Sequence, residues 1–103
     1  MIRLIKEHLA AIEKLCRKHR VHRLELFGSA ASDGAFDEEA SDLDFLVQFE
    51  PISPQAHADA YFGLLNDLQD LFALSIDLVE IRAVRNPFLL EAIEESRKLL
   101  YAA

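Results

Sequence analysis

The sequence predicts an α/β (α+β) protein in which a small mixed β-sheet is backed by helices. Two observations lead to this prediction. Segments with a helical spacing of apolar residues alternate along the chain with short segments of strand-like alternation. Hydrophobic residues make up 51% of the 103 residues, which is enough for a packed core. Because a chain of this length supports one domain, residues 1–103 are expected to form a single domain.

The first half of the chain predicts one helix and two strands. A helix is expected over about Arg3–His19, where apolar side chains recur on one face and charged ones take the other. Alternation over Leu24–Phe27 predicts a strand. The small and polar residues of Ala30–Ser41, with Gly34 as a breaker, predict a helical turn and a loop. Asp42–Phe49 is the clearest strand, because its apolar second half suits a central position.

The second half predicts a helix, a strand and a final helix. Helical spacing runs over about Pro54–Ala73, with an apolar face formed by Ala58, Phe62, Leu65, Leu68 and Phe72. Alternation and β-branching predict a third strand over Ile76–Ile81. Asn86 before Pro87 predicts the start of a helix that continues to about Tyr101. The inner face of that helix is expected to carry Leu89, Ile93, Leu99 and Leu100.

Composition and charge exclude several functional classes. The formal net charge of −7 opposes binding to a nucleic-acid backbone, which needs a basic surface. No apolar run approaches the roughly 20 residues of a membrane span, so no membrane association is expected. The N-terminal residues mix polar and apolar types, unlike a signal peptide. The single cysteine, Cys16, cannot form an internal disulfide, which favours a reducing, cytoplasmic location.

Three aspartates occupy strand positions, where aspartate is normally depleted. Asp42 and Asp44 open the clearest strand, and their side chains are expected to project from the same face. Asp77 joins them if the third strand lies beside theirs. Because such carboxylates repel one another, a divalent cation such as Mg²⁺ or Mn²⁺, or a basic side chain, would stabilise the group. The structural alternative makes Asp42 a cap and Asp44 a solvated edge residue, and pairs Asp77 with a nearby arginine.

A glycine and a serine follow the first predicted strand. Gly28 lets the backbone come close to a phosphate, and the Ser29 hydroxyl and the amides of the following turn can bind phosphate oxygens. Two metal ions held by shared carboxylates are a common means of transferring a nucleotidyl or phosphoryl group. The ordered set of strand, Gly-Ser, Asp-x-Asp on a strand and a further strand aspartate therefore indicates a nucleotide-transfer site.

This ordered set resembles the nucleotidyltransferase superfamily that includes DNA polymerase β. Within that superfamily the chain is similar to the minimal nucleotidyltransferases, or MNT proteins. The segments that carry the resemblance are Leu26–Ser29, Ser41–Val47, Ile76–Val79, Arg85–Leu89 and Leu99–Tyr101. The resemblance therefore extends over nearly the whole chain.

The resemblance implies both a site and a function. Asp42, Asp44 and Asp77 would ligate two Mg²⁺ ions, and Asp77 would also help to align or deprotonate the acceptor hydroxyl. Gly28 and Ser29 would hold the triphosphate of ATP. Proteins of this kind are commonly antitoxins of type VII pairs, and they transfer AMP from ATP to a tyrosine of a HEPN-domain ribonuclease toxin. The implied activity is thus that of an ATP-dependent protein adenylyltransferase that inactivates its HEPN partner.

One position departs from the family pattern and keeps two alternatives open. Members often carry Gly-Ser-x-Ala-Arg-Gly, and Ser32 stands where the arginine would be. This departure favours a non-catalytic antitoxin that neutralises the toxin by binding alone. A nucleotidyltransferase with a small-molecule acceptor usually needs a second domain, for which roughly 100 residues leave no room. The acceptor is therefore expected on another chain, and Leu90, which lies off the inner face of the last helix, is the predicted partner contact.

Overall fold

The computed structural model describes residues 1–32, 36–37 and 41–103. Helices and strands follow one another along these residues in an order that begins with two helices and ends with a strand. The elements are α1 (Arg3–Glu7), α2 (Leu9–Lys18), β1 (Val21–Phe27), β2 (Leu43–Phe49), α3 (Pro54–Phe72), β3 (Ile76–Glu80), α4 (Pro87–Ser96) and β4 (Lys98–Ala102). Short 3₁₀ turns cover Gly28–Ala31 and Ile81–Ala83.

The strands form one mixed sheet in the order β3-β2-β1-β4. β1 is antiparallel to both β2 and β4, whereas β2 and β3 are parallel and are joined by α3. A parallel pair needs such a crossover, because a tight turn cannot bring the chain back to the same end of the sheet. The predicted fold, a small mixed sheet backed by helices, is confirmed.

Helices cover both faces of the sheet. On one face α1, α2 and α3 enclose the main core, to which the sheet contributes Leu24 and Phe45. On the other face α4 buries Ile93 against Phe27 and Leu46. Full burial of an isoleucine side chain contributes about 1.5–3 kcal/mol, so this contact is a main attachment of α4 to the sheet. Phe45 and Leu46, which are neighbours on β2, therefore pack into different clusters on opposite faces of the sheet. The apolar second half of β2 predicts such burial on both faces.

The first predicted helix is interrupted at His8, so the prediction of one continuous helix over Arg3–His19 is wrong. The His8 backbone is non-helical, with φ −113° and ψ 12°, and its N–H donates to the Ile5 carbonyl. Nδ1 of the His8 ring lies 2.7 Å from the Leu4 carbonyl oxygen. Because a carbonyl only accepts, Nδ1 carries the proton of that bond. The side chain thereby replaces the backbone donor that a continuous helix would offer to Leu4.

The final helix ends at Ser96, and the prediction that it continues to Tyr101 is wrong. The chain extends at Arg97 and then forms β4, which pairs with β1 through Leu24 and Tyr101. Leu99 is consequently 51% exposed instead of facing inward, while Leu100 is buried. A short apolar run such as Leu99–Tyr101 is compatible with both helical and strand spacing. Pairing with β1 makes it part of a strand.

The helix over Pro54–Phe72 is confirmed, but its buried face differs from the predicted one. The residues that it buries are Ala60, Leu64, Leu68 and Phe72. Phe62, predicted to lie inside, is 65% exposed. Because apolar residues surround much of this helix, two sets of positions share the helical spacing and the spacing alone does not choose between them. The predicted cap at Asn86 is confirmed, since its side chain accepts a bond from the Phe88 N–H.

The predicted turn after the first strand is confirmed as the 3₁₀ turn Gly28–Ala31. The rest of the predicted loop, with the breaker Gly34, lies largely outside the described residues. β1 begins at Val21, earlier than predicted, and β3 ends at Glu80. Among the described helices, none has the length and apolar character needed to cross a membrane.

Candidate active site

Two of the three predicted aspartates are register partners on adjacent strands. Asp44 of β2 lies beside Asp77 of the parallel strand β3, and Phe27 of β1 is its partner on the other side. Because Asp44 and Leu46 are two residues apart, the Asp44 carboxylate projects from the face that α4 covers. Asp42 lies just before the start of β2. The structure therefore brings Asp44 and Asp77 together at one end of this face.

The pKa of the Asp44 carboxylate reflects its burial and the nearby aspartates. Burial, followed by the negative charges of Asp77 and Asp42, raises its pKa from 3.8 to about 6. Asp42 and Asp77 are both exposed, whereas Asp44 is half-buried. The three carboxylates thus interact unfavourably, as the sequence predicts for a group without a cation.

The structural alternative for Asp77 is wrong. Over the described ranges, no arginine or lysine forms an ion pair with Asp77. Arg85 instead donates to the carbonyl oxygens of Arg82 and Val84. The Glu80 carboxylate is bonded to the ring of His57 at 2.6 Å.

The donor set suits a hard divalent cation, since carboxylate oxygens are the ligands that Mg²⁺ prefers and mutual repulsion favours a positive charge between them. In the conformation described, however, no group of three or more His, Cys, Asp or Glu side chains within residues 1–32, 36–37 and 41–103 is arranged to hold a metal ion. The chemistry of Asp42, Asp44 and Asp77 therefore fits Mg²⁺, while the three side chains do not form a closed cage.

Gly28, which begins the predicted phosphate-binding turn, lies against the Asp44 side chain. Its backbone is left-handed, with φ +74°, a conformation that glycine adopts at little cost. A Cβ at this position would lie 2.4 Å from Oδ2 of Asp44. Only glycine therefore fits between the end of β1 and the Asp44 side chain. The structure therefore brings the predicted Gly28 turn against one of the predicted carboxylates, Asp44.

Ser96 is a residue of this site that the sequence analysis does not identify. Its Oγ accepts a hydrogen bond from the Gly28 N–H at 2.9 Å, and its hydroxyl donates to the Ala92 carbonyl at 2.9 Å. The contact joins the last residue of α4 to a glycine far away in the sequence. No local pattern indicates such a pairing.

An open cavity of about 540 Å³ lies along β3 and is lined by residues of α3, β3 and α4. Tyr61 projects from α3 into its wall and donates its hydroxyl to the Leu78 carbonyl at 2.6 Å. Burial, followed by the charges of Asp77 and Glu80, raises the pKa of Tyr61. The cavity is mostly apolar and opens to solvent, and Phe62 in its lining is exposed. It is large enough to receive part of a partner molecule.

The nucleotidyltransferase domain family matches residues 10–100 of the chain. The matched span includes the Gly28-Ser29 turn and all three aspartates. The chain belongs to this nucleotidyltransferase family. The fold and the family together confirm the predicted enzyme class.

This nucleotidyltransferase is similar to relatives of nearly the same length. It is 32% identical over 92 residues to “Putative protein adenylyltransferase MJ1379” of Methanocaldococcus jannaschii, covering 88% of this chain and 89% of that protein. A solved minimal nucleotidyltransferase is 29% identical, with a TM-score of 0.64 over 94% of this chain and 95% of that one. The predicted resemblance to the minimal nucleotidyltransferases is therefore confirmed.

The fold of this nucleotidyltransferase also occurs in a toxin–antitoxin complex. The structure of a tri-AMPylated HEPN toxin of Shewanella oneidensis with its MNT antitoxin gives a TM-score of 0.63 at 21% identity. The match covers 95% of this chain and 72% of that chain. At this identity the comparison establishes a shared fold.

Proposed function

We propose that this nucleotidyltransferase is the cytoplasmic antitoxin of a HEPN/MNT pair and transfers AMP from ATP to a tyrosine of its HEPN toxin. The observation that carries the proposal is the packing of the Gly28 turn against Asp44, with Asp77 on the neighbouring strand. A phosphate-binding turn and a carboxylate pair within contact distance are what nucleotidyl transfer requires. The adenylyltransferase name of the relative and the AMPylated toxin beside the MNT antitoxin support the choice of AMP.

In the proposed reaction, the chain positions the two substrates. Ser29 and the turn that follows Gly28 bind the phosphates, which places the α-phosphorus beside Asp44. The tyrosine oxygen forms a bond to that phosphorus, the bond to the bridging oxygen breaks, and pyrophosphate leaves. The tyrosine proton passes to the carboxylate of Asp77, which is exposed and therefore accessible to an acceptor on another chain.

Asp42, Asp44 and Asp77 are the residues that would hold two Mg²⁺ ions. When bound, these ions neutralise the triphosphate and stabilise the charge that develops during transfer. The repulsion that raises the pKa of Asp44 to about 6 is the reason to expect a cation here.

The toxin is proposed to bind beside Asp77. Phe62 and Leu89 line the cavity along β3 and are 65% and 37% exposed, and Phe88, the residue before Leu89 on α4, is 79% exposed. These three exposed residues are the proposed apolar surface. A HEPN protein seated on this apolar surface would deliver its tyrosine next to Asp77, because β3 forms both the cavity wall and the carboxylate strand. Leu90, the contact predicted from the sequence, is half-buried and less available than Phe62 or Phe88.

The test incubates the purified chain with its HEPN partner, ATP and Mg²⁺ and measures the intact mass of the partner. AMP-sized mass steps on a tyrosine are expected with the parent chain. They should disappear with Asp44→Asn and with Asp77→Asn, because both variants remove charge while keeping side-chain shape. An unmodified partner after a complete reaction with the parent chain would contradict the proposal.

A second candidate function is neutralisation by binding alone. The observation that favours it is the exposed Ser32, which stands where relatives often carry an arginine able to contact phosphate. Under this alternative, a double Asp42→Asn, Asp44→Asn variant still inhibits the ribonuclease at a one-to-one ratio. Loss of inhibition with retained binding would exclude it and leave the transferase.

A further inference from the structure

We propose that Ser96 is a positioning residue of the nucleotide site, a role that rests on the proposed function. Its hydroxyl fixes the Gly28-Ser29 turn in the place where the turn receives the phosphates beside Asp44. Ser96 itself does not touch the reacting atoms in this proposal. It acts through the Gly28 backbone.

A chain of hydrogen bonds links Gly28 to α4 through Ser96. The Gly28 N–H donates to Ser96 Oγ at 2.9 Å, and the Ser96 hydroxyl donates in turn to the Ala92 carbonyl at 2.9 Å. The hydroxyl is therefore oriented by α4, and its lone pair points to Gly28. Because the Gly28 amide is used inside the protein, phosphate binding is left to Ser29 and the residues after it.

The helix end that carries Ser96 is held in place by the residue that follows it. The next residue, Arg97, forms two bonds to the buried carboxylate of Glu25, from Nε at 2.8 Å and from Nη2 at 2.7 Å. Glu25 lies on β1, the strand that leads directly into Gly28. A paired, bidentate contact fixes both distance and orientation. The end of α4 and the end of β1 are thus held together at two adjacent points.

Without the bond to Ser96, the Gly28 turn would lose its fixed position. Gly28 has many accessible conformations, since it lacks a Cβ. In the structure it adopts one of them, with φ +74°, in contact with Asp44. Removing Ser96 Oγ leaves the Gly28 amide without its partner and lets the turn move away from Asp44. ATP binding must then restore the lost order, which lowers the affinity.

Selective labelling makes the experiment direct, because the chain has only three glycines. With ¹⁵N-glycine, the Gly28 amide is assigned through its loss in a Gly28→Ala sample. We expect Ser96→Ala to shift this resonance and to speed its exchange with solvent. ATP affinity, measured by calorimetry with and without Mg²⁺, is expected to fall about fivefold, the typical effect of one lost hydrogen bond. Ser96→Thr keeps the hydroxyl and should restore both readouts.

Ser53→Ala is the matched control. It removes another serine hydroxyl, the one that caps α3 by accepting a bond from the Ala56 N–H at 3.2 Å. It should lower the melting temperature at least as much as Ser96→Ala does, because a lost cap destabilises a helix. ATP affinity and the Gly28 resonance should stay unchanged.

The outcomes separate this inference from the proposed function. Unchanged ATP affinity in Ser96→Ala, or an equal loss in Ser53→Ala, would overturn the positioning role. A loss of affinity without any change at the Gly28 amide would do the same. Failure of the parent chain to bind ATP would overturn both proposals, and it is recognised before any variant is compared.

Discussion

Gly28 is the residue at which backbone geometry and site chemistry depend on each other. Its left-handed φ of +74° and its contact with Asp44 both exclude a side chain. Gly28→Ala is expected to lower the free energy of unfolding by about 1–3 kcal/mol, because alanine is strained in this region. The new methyl group also displaces the Asp44 carboxylate, so ATP affinity should fall by at least about tenfold. Urea unfolding and calorimetry measure the two effects.

Gly63→Ala is the matched control for this glycine. A Cβ at Gly63 would meet the ring of His19 at 2.7 Å, so this variant also introduces a methyl group into a close contact. The contact joins α3 to the end of α2, and the ring is held there by Asp67 at 2.6 Å. Stability should change, whereas ATP affinity should not. Equal loss of ATP binding in both variants would show that the effect of Gly28→Ala is general.

Asp44 predicts a pH-dependent stability in the absence of divalent cations. Its folded-state pKa of about 6 lies above the ordinary value of 3.8, so the folded protein binds the proton more tightly than the unfolded chain. The contribution of Asp44 to the free energy of unfolding is therefore largest below about pH 4. It declines as the pH rises to about 6 and is constant above that pH.

Asp44→Asn tests this dependence. The variant should match the parent near pH 4 and exceed it at pH 7.5 by about 1–3 kcal/mol in the free energy of unfolding. The difference between the two proteins isolates Asp44 from other carboxylates such as Glu25, whose pKa is lowered by its hydrogen bond with Arg97. A difference that is independent of pH would contradict the raised pKa.

At the scale of elements, the ion pair between Arg97 and the buried Glu25 helps to fix the end of α4 against β1. Glu25 is 4% exposed and accepts bonds from both Arg97 and Arg23. Arg97→Met should lower the free energy of unfolding by about 3 kcal/mol, because it leaves a buried carboxylate with incomplete pairing. The change can be measured by urea unfolding.

Arg20→Met provides the comparison for that prediction. Arg20 forms an ion pair with Glu50 at 3.1 Å, but both side chains are substantially exposed, at 59% and 39%. Exposed pairs contribute less than about 1 kcal/mol, so this variant should remain close to the parent. Similar losses in the two variants would mean that burial of Glu25 does not strengthen its pairing.

The elements that the sequence predicts correctly are those with strong local signals. Asn86, before Pro87, marks a helix start that the structure confirms. The missed elements depend on distant partners. β4 exists because Lys98–Ala102 pairs with β1, and nothing within those residues reveals the pairing. The break at His8 depends on one side chain competing for a backbone carbonyl, which a hydrophobic pattern does not record.

The same distinction applies to the candidate site. The alternation of β2 and β3 places Asp44 and Asp77 on one face, and the structure confirms that they are adjacent. The contact between Gly28 and Asp44 and the bond from Gly28 to Ser96 could not be predicted, because they require the relative positions of β1, β2 and α4. The metal-binding role of the three aspartates stays a prediction.

At the scale of the whole molecule, the exposed apolar residues Phe62, Phe88 and Leu89 are the surface proposed to contact a HEPN partner. A double Phe62→Ser, Phe88→Ser variant should keep its stability within about 0.5 kcal/mol, because both rings are exposed. Its affinity for the HEPN partner should fall by at least about tenfold, since aromatic residues commonly dominate such interfaces. Calorimetry or a quantitative pull-down measures the loss.

Leu99→Ser is the matched control for this surface. Leu99 is also a large exposed apolar residue, at 51%, but it lies on β4, at the opposite edge of the sheet from β3. Replacing it should leave binding to the HEPN partner unchanged. A loss of affinity equal to that of the double variant would place the interface elsewhere.

The reactivity of the Cys16 thiol can report local opening of the fold. It is the single cysteine of the chain, it is fully buried in the main core, and burial raises the pKa of its thiol to about 12. Because only a thiolate reacts readily, a maleimide or disulfide reagent can modify the protein only when α2 separates from the sheet. The labelling rate therefore measures how often the native fold opens. A bound nucleotide or protein partner that restrains this opening would be detected as slower alkylation.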